Sequence, residues 1–241
     1  AVGMDTFDEL FYWGDVILDE SQKLIHIDPI PGRVGRSEPT DIGIISNCKT
    51  ALAEMISQVS IVVDQNLVER RKAQVISDAS SQRDAYEDSV KEKWDSTPMS
   101  PARMMSELAK SIPENSIVVD DSISNRAAMR HYFPANERND IRGVRGQSIG
   151  GGIGATMGTK CAFPDRPVLG IIGDGSAMMT VQGLWTAAND NIPCVFVICN
   201  NGMYRVLKTN FNIYQKEILH EPEPAGDNLL YSDFVTPFNL C

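Results

Sequence analysis

Positive charge is scarce in this chain: 22 Lys and Arg stand against 32 Asp and Glu, a formal net charge of −10. A nucleic-acid surface needs clustered Lys and Arg to displace phosphate counterions, so that class of partner is excluded. No apolar run approaches the ~20 residues that cross a bilayer as a helix, and no membrane partner is expected. The sequence opens on Ala1-Val2-Gly3, without an initiator Met and without the pattern of a signal peptide. The five Cys, at 48, 161, 194, 199 and 241, include no Cys-x-x-Cys pair. Cys194 and Cys199 border a strand-like run and read as reduced core thiols, which places the protein in the cytoplasm. What is present is a hydrophobic content of 42%, enough for a buried core. The length holds one large domain or two of ordinary size.

One stretch organises the rest. Val168-Leu169-Gly170-Ile171-Ile172 has the length and composition of a buried strand, and it runs into Gly173-Asp174-Gly175-Ser176. Met179, Leu184, Trp185 and Ala188 follow at roughly helical spacing and predict a helix that Pro193 closes. Val195-Phe196-Val197-Ile198-Cys199 is then a second buried strand, ending at Asn200-Asn201-Gly202. A strand–helix–strand connection makes the strands parallel, with their carboxyl ends on one edge. Asp174 and Asn201 therefore project from the same edge. A charged carboxylate, a neutral carbonyl and a backbone oxygen near Gly202-Met203 suit magnesium, which takes one or two protein oxygens and completes its shell with water and phosphate. Gly175 permits close backbone approach, and the amides of Ser176 and Ala177 open a helix toward an anion. Each half alone reads as an ordinary turn; together on adjacent strand ends they read as a metal–diphosphate site.

Elsewhere the pattern is plainer. Asp15–Leu18 and Leu24–Asp28 read as short strands, and Lys49–Val59 as an amphipathic helix. His26, inside an alternating strand, reads as structural. Residues 60–98 carry mixed charge and few large apolar groups, which predicts a solvated helix between domains. Ser100 caps a helix with Pro101 at its first position and Met104, Met105 and Leu108 as its apolar stripe. Ile117-Val118-Val119 is the first strand of the second domain. At its end, Ser122 and Ser124 serve either as helix caps or as phosphate contacts. The helix Arg126–His131 follows, with His131 as a terminal cap or interface residue. The glycines between Gly143 and Gly158 remove side chains where another backbone or a flat ligand must come close. A dinucleotide fingerprint there is weak, because no clear strand precedes it and no acidic residue sits at the expected distance. Tyr204–Phe211 reads as a helix, with Val206 and Leu207 toward a substrate pocket, and Glu217–Asn228 as a mobile loop.

Gly173-Asp174-Gly175-Ser176 followed by Asn200-Asn201 resembles the thiamine diphosphate signature of glycine, aspartate, glycine and later paired asparagines. Leu184-Trp185-Thr186-Ala187-Ala188, Asn191-Ile192-Pro193 and Asn200-Asn201-Gly202-Met203-Tyr204 narrow the likeness to the benzoylformate decarboxylase and acetolactate synthase branch. The resemblance implies an α/β fold with a parallel-sheet diphosphate-binding domain and a partial Rossmann-like middle domain. Residues 1–59 would be part of the middle domain, 60–98 a charged linker, and 99–241 the diphosphate domain, truncated at its C-terminus. By the same resemblance Asp174 and Asn201 ligate Mg2+ through side chains and Met203 through its carbonyl. Ser122, Ser124, Ser148, Gly173, Gly175, Ser176, Ala177 and Tyr204 hold the cofactor, while Ile149 wedges between its two rings.

The resemblance also implies what the sequence does not supply. In these enzymes a pyrimidine-binding domain of the same or another subunit contributes an activating glutamate. No such domain is legible here, so no catalytic base is assigned, and the expectation is a fragment of a longer enzyme or one subunit of a split one. The implied activity is non-oxidative decarboxylation of an α-keto acid, benzoylformate-like, in a homodimer or homotetramer. The alternatives are an acetolactate synthase-like carboligase, which would add FAD, or a cofactor-binding subunit without turnover.

Overall fold

Strand β1 (Ile25–Asp28) and strand β2 (Ile42–Ile45) lie parallel, Ile25 opposite Ile42 and Asp28 opposite Ile45. The computed structural model describes residues 1–4, 18–19, 21–133, 141–143 and 148–220, which divide into units of residues 1–82 and 83–241. In the first unit His26 is wholly buried in β1. Its Nδ1 accepts from Gly35 N–H at 3.4 Å, and its Nε2 lies 3.1 Å from Met4 O. The tautomer protonated at Nε2 satisfies both contacts, a structural role. Helix α1 (Cys48–Val62) starts at Asn47, whose side chain accepts from Lys49 and Thr50 N–H and so satisfies two of the amides a helix start leaves unpaired. Helix α2 (Gln65–Lys91) buries none of its residues, in keeping with its mixed-charge sequence.

In the second unit helix α3 (Pro101–Ser111) is capped by the Ser100 hydroxyl, which accepts from Arg103 N–H at 3.3 Å. Strands β3 (Ile117–Asp121), β4 (Ile141–Gly143), β5 (Val168–Gly173) and β6 (Val195–Cys199) form one parallel sheet in the order β4-β3-β5-β6. Alternation along the strands sorts the core onto two faces. Val118, Leu169 and Ile171 pack with Met105 of α3 and with Ala128 and Met129 of helix α4 (Arg126–Tyr132). On the other face, helix α5 (Gly152–Ala162) lies so close to β5 that a Cβ at Gly170 would fall 2.4 Å from Thr156 Oγ1. Ile171 and Ile172 are fully buried, each worth about 1.5–3 kcal/mol on burial, so β5 is anchored from both sides. From β3 the chain passes first to β4 on one side and then to β5 on the other. Such a reversal opens a crevice at the strands' carboxyl ends.

Several expectations need correction. The single helix expected after Gly173 is two, α6 (Asp174–Met179) and α7 (Gly183–Asn189). The break follows Thr180, whose hydroxyl donates to Gly150 O at 2.7 Å; Met179 and Trp185 are exposed. A short strand, β4, does precede the glycine-rich loop. Helix α8 (Arg205–Glu217) runs six residues past the expected end at Phe211. The strand expected over Asp15–Leu18 falls outside the described residues except for Leu18. The loop beyond residue 220 and Cys241 fall outside them altogether. Among the described residues no helix is long and apolar enough to cross a membrane.

Candidate functional site

The strand register builds the site. Asp121 stands opposite Ile172 and Gly173 opposite Cys199, so β3, β5 and β6 end level. A solvent-open cleft lies at those ends. Ser122 and Ser124 enter it from β3, and Ile149 from the glycine-rich loop. Gly173, Asp174, Gly175 and Ser176 border it from the turn into α6, and Asn201, Met203, Tyr204 and Val206 from the segment after β6. Ser148, Ala177 and Leu207 stand outside its lining. Ala177 is fully buried beside Ile153 and Ile172, while Leu207, the residue after Val206, is 38% exposed.

Asp174 is 3% exposed, and its Oδ2 accepts from Gly202 N–H at 2.8 Å, tying the end of β5 to the turn after β6. That turn needs glycine, since Gly202 has φ +66°. Asn200 Oδ1 also accepts from Gly202 N–H, at 3.2 Å, and Asn201 Oδ1 accepts from Met203 N–H at 3.0 Å. These bonds orient the side chains, and a carbonyl oxygen with one such bond keeps a second lone pair. At β3, Asp120 Oδ1 accepts from both the amide (3.0 Å) and the hydroxyl (2.8 Å) of Ser122. Burial pushes the Cys199 thiol up to about 11, with the Asp120 carboxylate adding to the effect, so the thiol is neutral at physiological pH.

Hard oxygen donors at a strand edge beside serine hydroxyls match magnesium with a diphosphate, and the residues present fit that pair. Asp174, Asn201 and Met203 all line the cleft and could offer two side-chain oxygens and a backbone carbonyl to such a cation. Among the described residues no cluster of three or more His, Cys, Asp or Glu gathers for a metal, so a cation here would draw its remaining ligands from water and phosphate. Asp121, Ile123, Asn125, Cys199 and Arg205 also line the cleft and were not singled out as site residues. For Asp121 the sequence signal is the Asp120-Asp121 pair closing β3, since neighbours on a strand face opposite ways and one of the two must turn inward.

Residues 123–236 match the family model "Thiamine pyrophosphate enzyme, C-terminal TPP binding domain". Residues 123–236 thus have the character of that thiamine pyrophosphate-binding domain. A Methanococcus aeolicus protein described as "Probable acetolactate synthase large subunit" is 31% identical over 191 residues, covering 74% of this chain and 31% of that protein. The benzoylformate decarboxylase of Pseudomonas aeruginosa is 31% identical over 137 residues, 57% of this chain and 25% of the enzyme. The chain thus spans about a third or less of these curated relatives. In fold, it superposes on the benzoylformate decarboxylase of Polynucleobacter necessarius with a TM-score of 0.69 at 18% identity, over 92% of this chain and 39% of that one. The thiamine diphosphate-dependent 4-hydroxybenzoylformate decarboxylase of Rhodococcus jostii gives 0.65 at 24%, over 93% and 38%. This thiamine diphosphate domain has the parallel α/β architecture of those enzymes.

Proposed function

We propose that the chain supplies the diphosphate-binding half of a magnesium-dependent enzyme that decarboxylates an α-keto acid without oxidation, benzoylformate-like substrates first. The observation that carries this reading is the meeting of Asp174 and Asn201 at one cleft edge, with Gly202 N–H on the Asp174 carboxylate. Asp174, Asn201 and the Met203 carbonyl would hold Mg2+, and Ser122, Ser124 and the Gly175–Ser176 amides the diphosphate oxygens. When bound, thiamine diphosphate supplies an electron sink for carbanion chemistry at a keto carbon. The chain's own part is to bind, orient and exclude water. Ile149 and Val206 give the cleft an apolar wall that suits an aryl or alkyl substituent and keeps solvent from the reacting carbon. The activating carboxylate would come from a pyrimidine-binding domain of the same or another subunit, in a homodimer or homotetramer.

Carboligation is the second reading, favoured by the likeness to the M. aeolicus protein over 74% of the chain. Full-length enzyme given benzoylformate or pyruvate separates the two by product: an aldehyde plus CO2, or a new carbon–carbon bond. Asp174→Ala tests the site itself, because the neutral Asn201 cannot offset cation and diphosphate charge. Titration calorimetry is expected to show no magnesium-dependent thiamine diphosphate binding by that variant. Binding within a few-fold of wild type removes Asp174 from the site.

A further inference from the structure

A single carboxylate oxygen joins three segments of the cleft. Asp121, 7% exposed at the end of β3, accepts at Oδ2 from Gly152 N–H at 2.8 Å and from the Ser176 hydroxyl. The Ser176 oxygen accepts in turn from Gly150 N–H at 2.7 Å. Gly150 O then takes the Thr180 hydroxyl at 2.7 Å. The loop is seated as tightly as it is bonded. A Cβ at Gly152 would fall 2.7 Å from Asp121 Cβ, and one at Gly150 2.7 Å from Met179 Cβ. Gly150 also has φ +102°, a conformation open to glycine. Ile149, immediately before this anchored pair, lines the cleft, and Asp174 begins the helix on which Ser176 sits.

We propose that Asp121 is a positioning residue: through Oδ2 it fixes the glycine-rich loop against α6, and so fixes Ile149 relative to Asp174. The inference rests on the reading of the cleft as the thiamine diphosphate site. A carboxylate suits the task because it accepts several hydrogen bonds at one atom and strengthens each by its charge. Without it, a buried amide and a buried hydroxyl would lose their partner at once, and the loop would leave its seat. Asp121 acts here through the loop, and donates nothing to the cation or the reacting carbon.

Both protein hydrogen bonds end on the same oxygen, and this makes the role separable from proton transfer or metal ligation. Asp121→Asn can place its amide oxygen at that point and keep both bonds; Asp121→Ala keeps neither. Three readouts on the full enzyme decide it: deuterium exchange of the segment 148–152 without cofactor, calorimetric titration with thiamine diphosphate and magnesium, and steady-state kinetics. For Asp121→Ala, exchange of the loop speeds up and kcat falls roughly tenfold or more, because sub-ångström placement is lost. Cofactor affinity falls by less, since Asp174 and Asn201 are untouched. Asp121→Asn stays within about threefold of wild type on all three readouts, the near-isosteric change preserving both bonds. Ser176→Ala, which keeps the Gly152 bond and loses the Gly150 bond, lies between them. It serves as the deciding variant if Asp121→Ala does not fold. Unchanged loop exchange in the Ala variants, or an Asn variant as damaged as Ala, overturns the positioning role. Wild-type enzyme that fails to bind thiamine diphosphate overturns the site reading as well, an outcome told apart by the titration.

Discussion

Gly175 lies against the ring of Tyr204: a Cβ built on Gly175 would sit 2.4 Å from Tyr204 Cε1 and 3.1 Å from Cδ1 and Cζ. The glycine begins a helix where alanine would otherwise be favoured by about 1 kcal/mol. Contact with the ring, rather than backbone freedom, therefore decides what the position tolerates. Gly175→Ala must drive the ring from its place, and Tyr204 lines the cleft. We expect thiamine diphosphate affinity to fall about tenfold or more, the cost of overpacking by one methyl being about 1–3 kcal/mol. The thermal midpoint should move far less. Calorimetric titration beside a melting curve checks it, and unchanged affinity would mean that the ring yields freely.

Ile149 is half-buried and is the only large apolar side chain between Ser148 and Gly152. In the loaded enzyme it would fill the space under the cofactor, where truncation leaves a cavity costing about 2–5 kcal/mol if fully packed. Ile149→Ala should lower kcat by about tenfold or more while cofactor affinity stays within a few-fold, because Ile149 donates nothing to diphosphate or magnesium. Ile149→Leu, which keeps volume, should be mild. Near-normal turnover in the Ala variant would return Ile149 to the status of an ordinary packing residue.

The buried Cys199 thiol makes stability depend on pH at the alkaline end. Burial raises it from an ordinary value near 9 to about 11, so between those values the folded chain keeps a proton that the unfolded chain releases. Its stabilising contribution is complete below about pH 9 and is lost as pH rises toward 11. Urea midpoints measured at pH 8 and pH 10.5 should therefore fall more for wild type than for Cys199→Ala. Near neutral pH, iodoacetamide should label exposed Cys161 well before Cys199. Equal labelling rates would show that the thiol is not shielded.

Asp174 and Asn201 were legible together because a strand–helix–strand unit leaves little choice of geometry: parallel strands level their ends, and the observed register does so. The capping of α3 by Ser100 and the solvated α2 were local matters, written in neighbouring residues. What escaped the sequence depends on partners far along the chain. The break between α6 and α7 goes with the bond from Thr180 to Gly150, and Asp121 gains its place from Gly152 and Ser176. Hydrophobic spacing around Met179 and Trp185 cannot register such bonds. Leu207 shows a related limit: membership of the right segment does not fix whether a side chain lines the cleft. At a helical step of about 100°, adjacent residues face apart.

The sheet order carries one more consequence. Ile117 pairs with Val168, and Leu169 with Val195, so these strands meet only after long stretches of chain have been drawn in. Closing such distant pairings is the slow part of making a parallel sheet. Asp121, Ser176 and Gly202 stand at the ends of these strands and the turns beyond them, so the cleft requires the paired sheet. A cofactor that recognises this finished edge alone holds the protein in its folded state, by about 2.7 kcal/mol at a hundredfold excess over its dissociation constant.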